Sequence, residues 1–316
     1  MRKNAGPFLI MIAAALWALD ALLRGTLIQS MPAGAVVFYE HLLAFILLSP
    51  LFFKYFAKYK TLSLKTWLVL LLLTIVSSAL GTFLFTQALS KSFALYDFAT
   101  PVLLLKLQPI FVIFFAAVFL REKLTWRYLV WVPVALIGSY LVSFGAQKVP
   151  LIWSDRWTVV ALAVGAAVAW GLGTILSKKA LHQLSFKEAT VIRYALAVPV
   201  TLIFSLALYH QSYSPFDLTG PQILRLLIIA LSTGAASIFI YYKGLQHTEA
   251  KVSTIAELTY PIMSILIAIT ALNPYGAPQK LTAGNGVGIV LLLVAILMIS
   301  FQQHGSTTPQ AVGTEH

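Results

Sequence analysis

Residues 100–120 read TPVLLLKLQPIFVIFFAAVFL, and this run decides the class of fold. It is 21 residues long and carries one charge, Lys106, near its centre. A helix rises about 1.5 Å per residue, so roughly 20 apolar residues cross a hydrocarbon layer about 30 Å thick. Lys106 therefore lies close to mid-depth, where a lone ammonium costs at least ~2.5–3.5 kcal/mol. Two residues on, Gln108-Pro109 leaves a backbone carbonyl without its donor and predicts a bend. The run ends in a basic, amphipathic junction, Arg121-Glu122-Lys123-Leu124-Thr125.

Outward from this run the chain repeats the same kind of segment. Ten apolar spans can be drawn, at roughly 7–29, 32–53, 66–90, 95–119, 124–145, 157–180, 186–208, 222–246, 250–271 and 281–302, with short connections between them. The chain has 316 residues, 59% hydrophobic and 10% charged, where a soluble domain carries about 25% charged residues. The expected fold is an all-α polytopic membrane protein. Met1-Arg2-Lys3-Asn4 and the apolar run behind it resemble a leader, but that run exceeds 20 residues and a second span follows at once. It reads as a retained first helix. The polar segment 303–316 is expected to be a disordered cytoplasmic tail. With no cysteine, disulfides, thiol catalysis and thiolate metal sites are excluded.

The formal charge of +12 would suit nucleic acid, but its distribution suits a bilayer better. With the N-terminus inside, thirteen Lys and Arg fall in the inner segments, among them Lys54, Lys58, Lys60, Lys65, Arg121 and Lys123. Five fall outside: Lys91, Lys148, Arg156, Arg225 and Lys280. Positive charge stays on the cytoplasmic side, so both termini are expected there.

The two halves of the chain echo each other. Leu107-Gln108-Pro109-Ile110 returns as Thr259-Tyr260-Pro261-Ile262, and Lys123-Leu124-Thr125 as Lys280-Leu281-Thr282. Leu16-Trp17-Ala18-Leu19 aligns with Ala169-Trp170-Gly171-Leu172, and the same offset sets Glu40 against Arg193. The expected division is a five-helix repeat over 1–147 and a second over 148–302. Five is odd, so the second copy enters the membrane inverted, and such repeats place a solute site near mid-membrane where they meet.

On these residues the chain up to about 302 resembles the drug/metabolite transporter superfamily, in its ten-helix form with two EamA-type repeats. Trp17, Leu107-Gln108-Pro109 and Arg121-Glu122-Lys123-Leu124-Thr125 carry the resemblance. Two departures stand out. The second copy reads Ala277-Pro278-Gln279-Lys280-Leu281 and lacks the junction glutamate, and the second span has Glu40-His41 where the family often has arginine. The resemblance implies a bacterial inner-membrane secondary transporter working by alternating access. It favours export of small metabolites, with amino acids the leading class, aromatic ones included.

Within the spans the candidate site residues fall at recognisable depths. Lys106, Trp17, Trp170 and Tyr260 lie at mid-depth. Two tryptophans at matching mid-membrane positions are either packing rings or flat cavity walls that stack on a solute. Lys106 would hold a carboxylate or another anion, or else form a buried pair with Asp20. Tyr39, Tyr96, Tyr194, Tyr241 and Tyr242 can add hydroxyl donors. Asp20 and Arg24 share a helix face in the outer half with Glu40 opposite, while Arg193 and Glu257 fall in the inner half. These charges read as structural ion pairs or as outer and inner gates that open alternately. Pro109 and Pro261 are candidate hinges. Asp20, Glu40 or Glu257 could also carry a coupling proton. Gly138, Gly284 and Gly288 mark close helix packing away from the cavity.

No phosphate loop, zinc-protease motif or nucleophile elbow occurs, so neither ATP drive nor catalysis is expected, and no metal or cofactor is implied. The expected partners are a small solute and the lipid bilayer, with no nucleic acid and a monomer or weak homo-oligomer. Four readings remain beside export of an amino acid: exchange or uptake of an anionic metabolite, efflux of cationic drugs, an intramembrane enzyme and a channel, the last disfavoured by charges placed as gates at both ends of the path.

Overall fold

The computed structural model describes residues 5–94, 99–147, 153–208, 218–273 and 277–302; the tail 303–316, Tyr96 and Lys148 lie outside the described residues. Ten helices are long and apolar enough to cross a membrane. They are span 1 (Ala5–Leu27), span 2 (Ala33–Lys60), span 3 (Leu64–Ser92), span 4 (Thr100–Phe119) and span 5 (Trp126–Phe144). Span 6 (Trp157–Ala180), span 7 (Phe186–Ala207), span 8 (Gly220–Leu245), span 9 (Ala250–Ala268) and span 10 (Ala283–Gln302) follow. No strand occurs among the described residues. The expected boundaries hold within a few residues except at span 2, which continues to Lys60. There Phe52 stacks on Tyr59, and the Tyr59 hydroxyl donates to the Glu188 carbonyl at 3.1 Å.

Side-chain caps begin several spans. Ser63 accepts from the Thr66 N–H ahead of span 3, and Thr125 from the Tyr128 N–H ahead of span 5. Thr219 and Gln222 close a capping box before span 8. Lipid cannot satisfy the orphan donors of a helix start, so these caps fix where each span leaves the interface.

Three spans are broken midway. Span 4 divides into Ala99–Leu105 and Gln108–Phe119, and span 9 into Ala250–Ala256 and Thr259–Ala268. Proline explains both. Pro109 has no N–H for the Leu105 carbonyl and Pro261 none for the Glu257 carbonyl, and each ring crowds the carbonyl four residues back. The chain tightens to three-residue bonds just there: Leu107 N–H to Leu104 O at 3.0 Å, and Leu258 N–H to Ile255 O at 3.1 Å. The prolines thus open the second half-helices, and the breaks fall two to four residues before them. Span 1 divides without proline, at Leu19, into Ala5–Ala18 and Asp20–Leu27.

Spans 3 and 8 carry π-helical stretches, Thr74–Gly81 and Ala230–Ala236, at matching points of the two halves. Such wide turns occur mostly at functional sites. The stretch in span 3 packs on spans 6 and 7, and that in span 8 on spans 1 and 2.

Spans 5 and 10 form a tight pair at the periphery. A Cβ on Gly138 would stand 2.8 Å from the Leu292 nitrogen, and one on Gly288 2.5 Å from the Val142 nitrogen, so only glycine permits this approach. Asn285 adds amide bonds to the Leu141 and Val142 carbonyls at 3.1 and 3.0 Å. Elsewhere large apolar side chains such as Phe53, Leu64 and Trp126 face outward, as the lipid surface of a multi-pass membrane protein requires.

Candidate substrate cavity

A cavity of about 270 Å³ lies among the broken and π-helical spans, lined by Trp17, Lys106, Trp170, Tyr241, Glu257 and Tyr260 with neighbours from spans 2, 3 and 7. No described residue of spans 5 and 10 lines it. Its walls are two aromatic pairs at matching places in the two halves. Trp17 packs on Tyr241 and Trp170 on Phe85, each with ring centroids 5.2 Å apart and planes at 54°. The Trp170 indole N–H donates to the Ser77 carbonyl at 3.2 Å, in the π-helical stretch of span 3. Gly81 makes room for that indole, since a Cβ there would lie 2.7 Å from its ring.

The charges divide into two kinds. Asp20, Arg24 and Glu40 meet as expected. Arg24 donates to both carboxylates and to the Thr86 hydroxyl at 3.1 Å, while the Thr233 hydroxyl reaches Asp20 at 2.9 Å. His41 donates from Nδ1 to the Val37 carbonyl at 2.7 Å and lies 3.5 Å from Glu40. Spans 1, 2 and 3 are thereby joined through one guanidinium, and span 8 joins them through Asp20.

Arg193, Lys106 and Glu257 have no counter-ion among the described residues. The expected inner pair of Arg193 with Glu257 does not form, because Tyr241 and Tyr242 of span 8 stand between them. Arg193 donates to the Ser78 hydroxyl at 2.7 Å, the Ser77 hydroxyl at 3.1 Å and the Tyr242 hydroxyl at 2.8 Å. Glu257 accepts from the Tyr241 hydroxyl at 2.8 Å and from Gln108 Nε2 at 3.1 Å. Nor does Lys106 pair with Asp20. Arg24 occupies that carboxylate, and the Lys106 ammonium, 9% exposed, donates to the Ser139 hydroxyl of span 5 at 3.2 Å. Lys106 and Glu257 sit in the breaks of spans 4 and 9, which touch through Gln108.

The cavity therefore brings together Trp17, Asp20, Arg24, Glu40, Lys106, Pro109, Trp170, Arg193, Glu257, Tyr260 and Pro261; of the candidate tyrosines, Tyr194 and Tyr241 line it and Tyr39 and Tyr242 do not. Sequence reasoning missed Phe85, Gln108 as a partner of Glu257, and Ser139 beneath Lys106. It also passed over Ser77-Ser78, although paired hydroxyls inside a leucine-rich span were a signal that a buried cation needed them. Among the described residues no three acidic or histidine side chains cluster as metal ligands.

At the face where span 1 begins, the first half of span 9 is closely packed. All seven residues of Ala250–Ala256 are buried, whereas in Thr259–Ala268 only Pro261 and Ile265 are. Arg121 adopts a left-handed φ of 56°, turning the chain back so that the Glu122 N–H meets the Ala116 carbonyl at 3.1 Å. That turn aims Glu122 across the seam, where it accepts the Ala250 and Lys251 N–H groups at 2.7 and 2.9 Å and caps the first half of span 9. Burial pushes the Glu122 carboxyl above the ordinary carboxylate range, against the two N–H bonds that pull it down. Around it, Lys251 Nζ donates to the Lys123 carbonyl at 2.7 Å, the Tyr128 hydroxyl to the Lys251 carbonyl at 2.8 Å, and Lys178 Nζ to the Leu245 and Thr248 carbonyls at 2.7 Å.

Known proteins match this chain along most of its length. The riboflavin transporter ImpX of Fusobacterium nucleatum is 32% identical over 298 residues, 93% of this chain and 95% of that protein. An uncharacterized transporter of Clostridium kluyveri is 25% identical over 67% of this chain and 68% of its own length. A crystal structure shares the fold, with a TM-score of 0.70 at 14% identity over 95% of this chain and 99% of that one. The EamA-like transporter family matches residues 4–144 and 157–301, one match in each half. On the strength of both matches, the chain belongs to the EamA-like transporter family, within the drug/metabolite transporter superfamily.

Proposed function

We propose that this transporter carries riboflavin, or a planar heterocycle much like it, by alternating access through the cavity between two inverted five-helix repeats, 1–147 and 148–302. The observation that carries the reading is the cavity itself. It has aromatic pairs on two sides and, at two helix breaks, a cation and an anion that no side chain neutralises. Isolated charges in a low dielectric are costly, and a solute that engages both would offset that cost. A volume of about 270 Å³ sits near the lower end of ligand pockets, roughly 300–1,000 Å³, which suits a few fused rings rather than a peptide. The riboflavin transporter among the relatives, at 32% identity, supports the choice of solute.

The amino-acid reading takes second place. The single feature in its favour is that Lys106 and Glu257 match the carboxylate and ammonium of a zwitterion, with Trp17 and Trp170 for an aromatic side chain. Both readings place the termini in the cytoplasm, from the distribution of Lys and Arg, and the protein in a bacterial inner membrane, in keeping with the bacterial sources of its relatives. With that orientation, the buried first half of span 9 would close the cytoplasmic side, and the solute would enter from outside.

Proteoliposomes holding the purified protein test this directly. Saturable riboflavin flux, competed by other flavins and indifferent to tyrosine or phenylalanine, is the expected result. Competition by aromatic amino acids, with no flavin flux, would move the second reading into first place. Chemical conversion of the solute would mean an enzyme instead.

A further inference from the structure

The aromatic frame of the cavity is doubled between the two halves, but its polar groups are not. Counting back from the two prolines, Glu257 stands where span 4 has Leu105, and Lys106 where span 9 has Leu258. Tyr241 brings a hydroxyl to its wall, and the matching Phe85 brings none. A symmetric slot thus presents one polar edge, and a flat ligand can enter it in one preferred orientation.

The free hydrogen-bonding capacity of that edge has a pattern. Glu257 accepts from Tyr241 and Gln108, with the Ser253 hydroxyl also against it, out of about four bonds a carboxylate can take. Lys106 donates one of its three protons, to Ser139, and Gln108 spends one of two amide protons on Glu257. An acceptor therefore touches one donor with a proton to spare, Gln108, and shares the cavity lining with a second, Lys106. The complement is a ring N–H with carbonyl oxygens on either side. Riboflavin carries that group, since N3–H of its isoalloxazine lies between two carbonyls. We propose that Glu257 accepts the imide N–H of a flavin while Lys106 and Gln108 donate to the flanking carbonyl oxygens, so that the cavity selects planar heterocycles with an unblocked imide edge. This assignment rests on the riboflavin reading above. The rings then lie between the Trp17–Tyr241 and Trp170–Phe85 walls.

The test compares riboflavin with 3-methylriboflavin, which keeps the rings and ribityl chain but has no imide proton. Binding to the purified protein in detergent micelles is read from quenching of flavin fluorescence. Wild type should bind 3-methylriboflavin about tenfold or more weakly, the scale of one bond to a charged acceptor. Glu257→Leu should bring riboflavin down to the methylated ligand's affinity and erase the difference. Equal affinity of wild type for the two flavins overturns the imide assignment and leaves the riboflavin reading standing. No riboflavin binding or flux overturns the riboflavin reading and the assignment with it. Should Glu257→Leu fail to fold, the two ligands on wild type still decide.

Discussion

Arg24 and Lys106 are both cations buried in apolar spans, and their surroundings differ in kind. Arg24 is gripped by Asp20 and Glu40, with Thr86 and Thr233 completing the set. Lys106 has one hydroxyl, and Glu257, the anion nearest it along the broken spans, has only neutral donors. A buried charge whose partners are all present holds helices together. On the function proposed above, one left without a counter-ion, in a cavity wall at a helix break, is placed for the solute.

The two kinds of charge should respond oppositely to removal. The largest effect is expected at the satisfied cluster. Arg24→Leu leaves two buried carboxylates facing each other, and removing one partner of a buried pair costs about 3–5 kcal/mol. Thermal unfolding in micelles should show a loss of that order, or the variant should fail to accumulate in membranes. Lys106→Met is the converse. It should accumulate and unfold at or above the wild-type temperature, because an unneutralised ammonium is gone, while solute flux falls about tenfold to a hundredfold. A Lys106→Met protein that transports normally would remove Lys106 from the site and blur the contrast with Arg24.

A smaller effect is expected at the seal, where Glu122 caps the first half of span 9. Loss of such a cap costs roughly 0.5–2 kcal/mol, enough to change the population of the closed state several-fold without unfolding the protein. Since the chain has no cysteine, Ser253→Cys in the buried half-helix gives a clean reporter. Maleimide labelling should rise several-fold when Glu122→Ala is added; unchanged labelling would mean that Glu122 does not hold the seam. The pH dependence of the parent Ser253→Cys protein is smaller again. Burial raises the Glu122 carboxyl in the closed state, so the closed form binds its proton more readily than an open, solvated one. Closure is then fullest at acid pH and is lost as pH rises through the raised value. Labelling should climb with pH after correction for thiolate reactivity, and no climb should appear in Glu122→Ala.

Much of this architecture was legible before any coordinates. Hydropathy alone placed ten spans, because lipid demands about 20 apolar residues and leaves no other spanning helix possible. Trp17, Trp170, Pro109 and Pro261 fell at matching depths, a pattern that fitted packed rings and fixed kinks as well as a cavity, and all four line the cavity. Asp20 and Arg24 paired by helix spacing. What the residues did not disclose depended on rotation about helix axes and on contacts distant in sequence. Arg193 and Glu257 are opposite charges at similar depth, yet Tyr241 and Tyr242 occupy the space between them. The breaks fall before the prolines because the lost bond belongs to the carbonyl four residues earlier. The π-helical stretches have no proline at all, and only packing against the other half exposes them. The solute, too, lay outside the reach of depth and charge, which suited an amino acid as well as a flavin.

The central claim is that Lys106 and Glu257 are kept unneutralised for the solute rather than for the fold. Thermal unfolding of wild type and of the double variant Lys106→Met/Glu257→Leu, each with and without saturating riboflavin, tests it most directly. At a ligand concentration about 100 times Kd, binding stabilises by roughly 2.7 kcal/mol. The account predicts that riboflavin raises the unfolding temperature of wild type by several degrees and leaves the double variant unmoved, and that the unliganded variant is at least as stable as wild type. A variant that is much less stable without ligand, or that riboflavin stabilises as fully as wild type, would contradict it.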